Sequence, residues 1–251
     1  MSSASQSSWE PVRKVRTYEQ VMAQIEQRML EGLLAPGDRL PSERELSQLL
    51  GVSRPSLREA LRVLEALGIV EVRPGRGPEG GTMFVGRPGD GFAILLKMQL
   101  ALGHFSDTDV LRTRLMLEEW AVADAARNAT HEDHEALRGI LDRMDAPELT
   151  ARDFNRLDTE FHVRVAESTG NSLASYLMSS LRAAIQRQMI DVYEQLADWR
   201  ETARAVRAEH REILRAVEEH DVPRAIELVC GHINDFYELG SFSDGAAERD
   251  H

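Results

Sequence analysis

A single cysteine, Cys230, in 251 residues has nothing to pair with inside the chain, so no disulfide framework can hold this fold and apolar packing has to. No apolar run approaches the ~20 residues that a membrane-spanning helix needs, and the Ser-rich start, residues 1–8, lacks the apolar segment of a signal peptide. The expectation is a cytoplasmic protein with no membrane partner. Aromatic residues are scarce, at 6%, and no repeat with a period of ~20–50 residues recurs, which sets solenoid architectures aside. Basic residues are in deficit, with a formal net charge of −12. That excess of acid argues against a nucleic-acid partner only if it is spread evenly. Residues 1–88 hold 12 Lys and Arg against 11 Asp and Glu, leaving 18 against 31 for residues 89–251. The acidity belongs to the second part of the chain, and the first can still present cations to phosphate.

In that first part, residues 41–68 read PSERELSQLLGVSRPSLREALRVLEALG. Ser42 and Glu45 form a capping-box pattern, which predicts a helix from Ser42 that carries Leu46, Leu49 and Leu50 on one side and stops at Gly51. Ser53 is a second N-cap candidate with Pro55 in the first turn, where a missing N–H does no harm, and predicts a helix over 54–67. Along it Arg54, Arg58 and Arg62 share one face, while Leu57, Leu61, Leu64 and Leu67 share the other. Guanidinium forks suit phosphate oxygens and the guanine edge; the alternative is a solvated face whose arginines pair with Glu59 or Glu65. Ile69, Val70 and Val72, then Met83 to Val85, read as a hairpin. Its loop holds Gly75, Gly77, Gly80 and Gly81 with Arg73 and Arg76, which fits a wing touching the minor groove or backbone, or an ordinary flexible hairpin. Helix, turn, helix and hairpin is the order of a winged helix-turn-helix. Upstream, Val21, Ile25, Met29 and Leu33 predict a supporting helix over 18–34, closed by a turn at Pro36, Gly37 and Asp38. Residues 1–16 are expected to be disordered or, through Arg13, Lys14 and Arg16, a basic arm.

GRPGDG at 86–91 combines glycine, proline and charge without an apolar residue, and divides the chain into a winged helix-turn-helix domain (17–86), a linker (87–91), an all-α domain (92–240) and a flexible tail (241–251). Helices are predicted over 92–102, 107–128, 131–144, 151–169, 172–196, 199–220 and 222–239, with Ser106 and Thr130 marking two starts. The fold class is therefore mostly α: a winged helix-turn-helix followed by an antiparallel bundle of six to seven helices. Within the bundle Asp158 and His162 sit four residues apart on one helix, and His210 and His232 fall on two later ones. If they converge, one carboxylate and three imidazoles make a site for a divalent first-row metal, with zinc first and nickel, copper, iron or manganese as alternatives. Three unrelated core histidines are the other reading. His131 and His134 read as solvated, Cys230 as a small buried thiol, and Met116, Trp120, Met178, Met189 and Tyr193 as core.

Residues 32–77, GLLAPGDRLPSERELSQLLGVSRPSLREALRVLEALGIVEVRPGRG, resemble the N-terminal domain of the GntR family of bacterial transcription regulators. RLMLEEWAVADAA (114–126), the Asp158 and His162 pair with Gly170 and Asn171, and EHREILRAVEEHDVPRAIELVCGHI (209–233) resemble the FCD effector domain of its FadR subgroup. The first resemblance implies that Arg44, Arg54 and Arg58 contact an operator, with Ser53 and Ser56 near phosphates and Gly75 at the wing tip; Pro55 departs from the Thr often found there. The second implies a metal held by Asp158, His162, His210 and His232 at the floor of an effector cavity. It also implies an effector carboxylate reached by Arg114, whose alternative is a surface ion pair with Glu118. Asn171 lines that cavity or caps the next helix. The expected protein is a homodimeric repressor on an inverted-repeat operator in double-stranded DNA, released by a small organic acid, and nucleoid-associated when bound. Two other functions fit the residues. One is a constitutive DNA-binding dimer with a structural metal. The other is a metalloenzyme, for which no acid/base partner is evident, the Glu-x-x-His pattern appearing only at 248–251.

Overall fold

Ten helices and one two-stranded hairpin make up the described residues, which in this computed structural model are 17–73 and 81–239. They divide into two compact units, Met1–Gly91 and Phe92–His251. In the first unit α1 (Thr17–Leu30) buries Val21 and Ile25 and packs on α3 (Arg54–Ala66). The helix ends earlier than its apolar spacing suggests, at Leu30, with Gly32 at a φ of 70°. Met29 and Leu33 are consequently exposed instead of buried.

Helix α2 (Glu43–Leu49) is capped by Ser42, whose hydroxyl oxygen accepts from the Glu45 N–H at 3.3 Å. The Glu45 carboxylate takes the Ser42 hydroxyl itself. Leu46 is buried, Leu50 half-buried, and Leu49 exposed, because seven residues of helix bring only one side of the segment onto α3. Gly51 turns the chain at a φ of 65°, a left-handed conformation that favours glycine. Ser53 then caps α3, with Pro55 in its first turn. Leu57, Ala60, Leu61 and Leu64 are buried on one face of α3, and Leu67, just past its end, is exposed.

Strands β1 (Val70–Arg73) and β2 (Gly81–Phe84) pair antiparallel with Val70 opposite Phe84. The loop between them, with Gly75 and Arg76, lies outside the described residues, as do Arg13, Lys14, Arg16 and the tail. The turn region expected at 36–38 does more than reverse the chain. Leu40 N–H donates to the Thr82 carbonyl at 2.9 Å and Phe84 N–H to the Asp38 carbonyl at 2.8 Å, adding a bridge at Arg39 to β2. With Gly37 N–H donating to the Phe84 carbonyl at 3.0 Å, three hydrogen bonds are still too few to leave an alternating pattern in the sequence. Glycine in GRPGDG has a packing reason: a Cβ on Gly91 would stand 2.5 Å from the Leu67 carbonyl carbon, and one on Gly89 2.9 Å from the Gly68 Cα.

The second unit comprises α4 (Gly91–Ala101) from its second residue onward, α5 (Asp107–Asn128), α6 (His131–Met144), α7 (Ala151–Glu167), α8 (Ser172–Gln195), α9 (Trp199–Glu218) and α10 (Val222–Leu239). Ser106 with Asp109, and Thr130 with Asp133, make full capping boxes. Thr150, Asn171 and Asp198 cap α7, α8 and α9. Helix α5 packs on α7, α8, α9 and α10, so it runs through the centre of the unit. Phe154, Phe161, Met178, Ile185, Met189, Tyr193, Ile213 and Ile233 fill the core. Met116 and Trp120 do not join them and are exposed, as periodicity along α5 does not say which neighbours cover it. No helix among the described residues is long and apolar enough to cross a membrane.

Candidate functional site

Two sets of side chains bear on function, one in each unit. In the first, Arg54, Arg58 and Arg62 stand exposed along α3, opposite its buried leucines, and Arg44 is exposed on α2. Arg58 donates to Glu43 on α2 at 2.9 Å, not to Glu59 or Glu65. Both partners of that pair are solvent-facing, so it is weak and screened by salt, and an incoming phosphate can replace the carboxylate. Arg54 and Arg62 make no ion pair among the described residues. Ser53 is exposed and Ser56 half-buried, their hydroxyls 2.9 Å apart at the start of α3. Arg73 closes β1 and pairs with Glu71 at 2.6 Å.

In the second unit the structure brings together Asp158 and His162 on α7, His210 on α9 and His232 on α10, each offering one ligand atom within 4.8 Å of the others. His210 Nε2 lies 3.2 Å from His162 Nε2 and 3.3 Å from His232 Nε2. Asp158 Oδ1 lies 3.4 Å from His210 Nε2 and 3.8 Å from His162 Nε2. Two ligands of one first-row ion, each roughly 2.1 Å from it in a tetrahedral arrangement, stand roughly 3.4 Å apart. The protonation pattern fits as well. His162 Nδ1 meets the Glu118 carboxylate at 2.6 Å and His232 Nδ1 meets Glu209 at 2.7 Å. A carboxylate on Nδ1 fixes the proton there and turns the Nε2 lone pair inward. The Nε2 lone pairs of His162 and His232 thus converge with His210 Nε2 and Asp158 Oδ1, and the cluster is consistent with a metal site.

Electrostatics around the cluster keep His162 and His210 uncharged. Burial, then the neighbouring Arg182, pushes His162 down to about 4, and burial with His232 pushes His210 well below the ordinary imidazole value. Burial alone would raise the Asp158 and Glu118 carboxyls. Arg182 and the imidazoles outweigh it at Asp158, and His162, Arg182 and Arg114 outweigh it at Glu118, so both stay ionised. In the metal-free chain the unfolded state takes up the His162 proton first as pH falls. Stability from this group is complete above its unfolded value of 6.5 and declines toward about 4. Acid titration of chelator-treated protein by circular dichroism checks the sign, and a flat unfolding free energy across that window contradicts an uncharged buried imidazole.

Two residues of this site, Arg182 and Glu209, were not singled out from the sequence, and Glu118 entered there only as a surface ion-pair partner of Arg114. Arg182 NH1 donates to Asp158 Oδ2 at 2.7 Å and NH2 to Glu118 Oε1 at 2.8 Å, with all three residues buried. Its signal was an arginine among the small and apolar residues LMSSLRAAI of α8. Arg114 is fully buried too, so its pair with Glu118, 3.3 Å, is not a surface pair. Its NH1 meets the Met189 sulfur at 3.9 Å and its guanidinium lies 5.7 Å from the Tyr237 ring centroid. Asn171 is not gathered into this cluster; it is exposed, and its Oδ1 accepts from the Ala174 N–H at 3.1 Å as the cap of α8. His131 is exposed, His134 half-buried, and Cys230 half-buried rather than buried. Since Glu118 orients His162, Glu118→Gln should weaken metal binding by about 10- to 100-fold, measured by competition with a chromophoric chelator; unchanged affinity contradicts that role.

Residues 17–79 match the model of the gntR family of bacterial regulatory proteins, and residues 109–235 match the FCD domain. The HTH-type transcriptional regulator YcbG of Bacillus subtilis, whose function is uncharacterised, is 34% identical over 64% of this chain and 66% of its own length. The Uxu operon regulator of Haemophilus influenzae is 32% identical over 66% of this chain and 59% of its own. The chain thus spans somewhat under two thirds of these relatives. Among solved structures, Streptococcus agalactiae GntR superposes with a TM-score of 0.61 at 26% identity, over 88% of this chain and 99% of that one.

Proposed function

The chain belongs to the gntR family of bacterial regulatory proteins and carries an FCD domain, and from that premise we propose that its buried Asp/His cluster holds a metal through which a small carboxylate controls operator affinity. It is a transcription regulator that binds DNA through its helix-turn-helix, and not an enzyme. Arg54, Arg58 and Arg62 on α3 read the major groove, Arg44, Ser53 and Ser56 hold phosphates, and Arg73, Gly75 and Arg76 serve the wing. Two copies bind as a homodimer, one per half-site of an inverted repeat, because two recognition helices must meet two half-sites. Repression released by the ligand is the direction we assign. The protein acts in the cytoplasm.

The observation that carries the sensor reading is the buried charge around the cluster. Arg114 and Arg182 are balanced by Glu118 and Asp158, all of them 1–2% exposed, and His162 and His210 stay neutral. A divalent cation held by Asp158, His162, His210 and His232 would leave a buried positive surplus that favours an anion, and would act there as a Lewis acid toward it. Zinc suits the three nitrogens and one oxygen best, with nickel, manganese and iron as alternatives. Arg114 orients the carboxylate: its Nε is engaged by Glu118 and its NH1 has only a thioether, a weak acceptor, in reach. A ligand bound more tightly in one domain arrangement than the other shifts the population away from the DNA-competent state by that difference in affinity.

Arg114→Gln tests this. The metal and the DNA affinity of the ligand-free protein should remain, while the acid concentration needed for DNA release rises by about 10-fold or more. Release at unchanged concentration contradicts the role of Arg114, and operator affinity indifferent to every small acid leaves a constitutive DNA-binding dimer with a structural metal.

A further inference from the structure

Asn155 is 1% exposed on α7, and neither its side-chain oxygen nor its nitrogen has a hydrogen-bond partner. A primary amide offers two donors and an acceptor, and leaving all of them without a protein partner in a buried position is expensive enough that an apolar residue of the same size would be the better structural choice. Its position gives the reason. Asn155, Asp158 and His162 lie at i, i+3 and i+7, so Asn155 stands on the metal-facing side of α7, one turn nearer the helix start. Across the α7–α8 hairpin Asp158 meets Arg182, so Asn155 faces the stretch of α8 that runs from Arg182 toward Met189. That is the stretch into which Arg114 NH1 reaches, ending at the Met189 sulfur. A second buried donor in the same layer, Arg182 Nε, is also without a partner.

We propose that Asn155 is a ligand-reading residue of the sensor site, its amide exchanging hydrogen bonds with a hydroxyl of the acid whose carboxylate Arg114 holds. This rests on the carboxylate-sensor reading. The division of labour follows from charge. Guanidinium selects the anionic end, whereas a neutral amide that both gives and takes a hydrogen bond matches a hydroxyl, which does the same. A site built to satisfy a hydroxyl rejects the analogue without one, because the amide is then left unpaired in the bound state. The ligand class is therefore a hydroxycarboxylate.

The test is thermal-shift titration of the zinc-loaded full chain with three pairs of acids that differ by one hydroxyl: lactate and propionate, malate and succinate, citrate and tricarballylate. The parent should bind the hydroxylated member of at least one pair more tightly than its partner. In Asn155→Leu that preference should shrink by about 10-fold, with affinity for the deoxy acid kept, and Asn155→Ala should show the same loss without added bulk. A hydroxyl can also reach the metal, so the change in ratio between parent and variant is the reading, not the ratio itself. The ligand-free Asn155→Leu protein should melt no lower than the parent, since it loses an unpaired amide. A preference unchanged in both variants, a parent indifferent to the hydroxyl, or a drop of ~4 °C or more in the ligand-free melting of Asn155→Leu overturns the assignment while the carboxylate reading stands. A parent that binds none of the six acids overturns both.

Discussion

Arg54→Ala and Arg58→Ala should each weaken binding of the full chain to a duplex selected in vitro with the parent protein by about 10- to 100-fold, and the double variant by considerably more. Both guanidiniums are exposed on α3 and neither contributes to its buried face, so folding, checked by circular dichroism, should not change. Arg58 gives up only its surface pair with Glu43. Arg54→Ala should relax sequence preference at one position, as loss of a base contact does, whereas Arg44→Ala, at a phosphate, should weaken all sequences alike and lower the salt slope by about 1. Binding by the double variant at parental affinity would remove α3 from the interface.

Stripping the metal should lower the melting temperature by about 10 °C. An ion present at ~1,000 times its dissociation constant contributes about 4 kcal/mol, and in a domain of this size each kcal/mol moves Tm by about 2–4 °C. His210→Ala should melt near the stripped parent and ignore chelators. His210 is the informative position, since its ring touches the other two imidazoles and stacks on Phe161 at 4.5 Å but makes no ion pair with Arg182 or Glu118. Asp158→Ala is less clean: it leaves Arg182 with half of its buried compensation. A parent whose melting is unmoved by chelator contradicts a metal bound at the cluster.

What could be read from the sequence, and what could not, follows the range of each interaction. Caps act within one turn, so Ser53, Ser106, Thr130 and Asn171 announced their helices correctly. The 3.6-residue period placed Leu57, Leu61 and Leu64 in the core of α3. It could not say where α1 stops or what covers α5, hence the exposure of Met29, Leu33, Met116 and Trp120. At the site, Asp158 and His162 shared a face by spacing, but the arrival of His210 and His232 from α9 and α10 is a tertiary event that only the resemblance implied. The carboxylates behind the imidazoles were hidden for the same reason. Glu118 looked like the i+4 partner of an exposed arginine, and Glu209 like an ordinary helix glutamate, until α5 and α9 were packed against α7 and α10.

The central claim is that the buried Asp/His cluster is a metal centre, and elemental analysis of the full chain as purified, beside a His162→Ala/His210→Ala/His232→Ala variant, tests it most directly. The account predicts close to one first-row metal ion per parent chain and none in the variant. A parent free of metal even after incubation with zinc, nickel and manganese would contradict it.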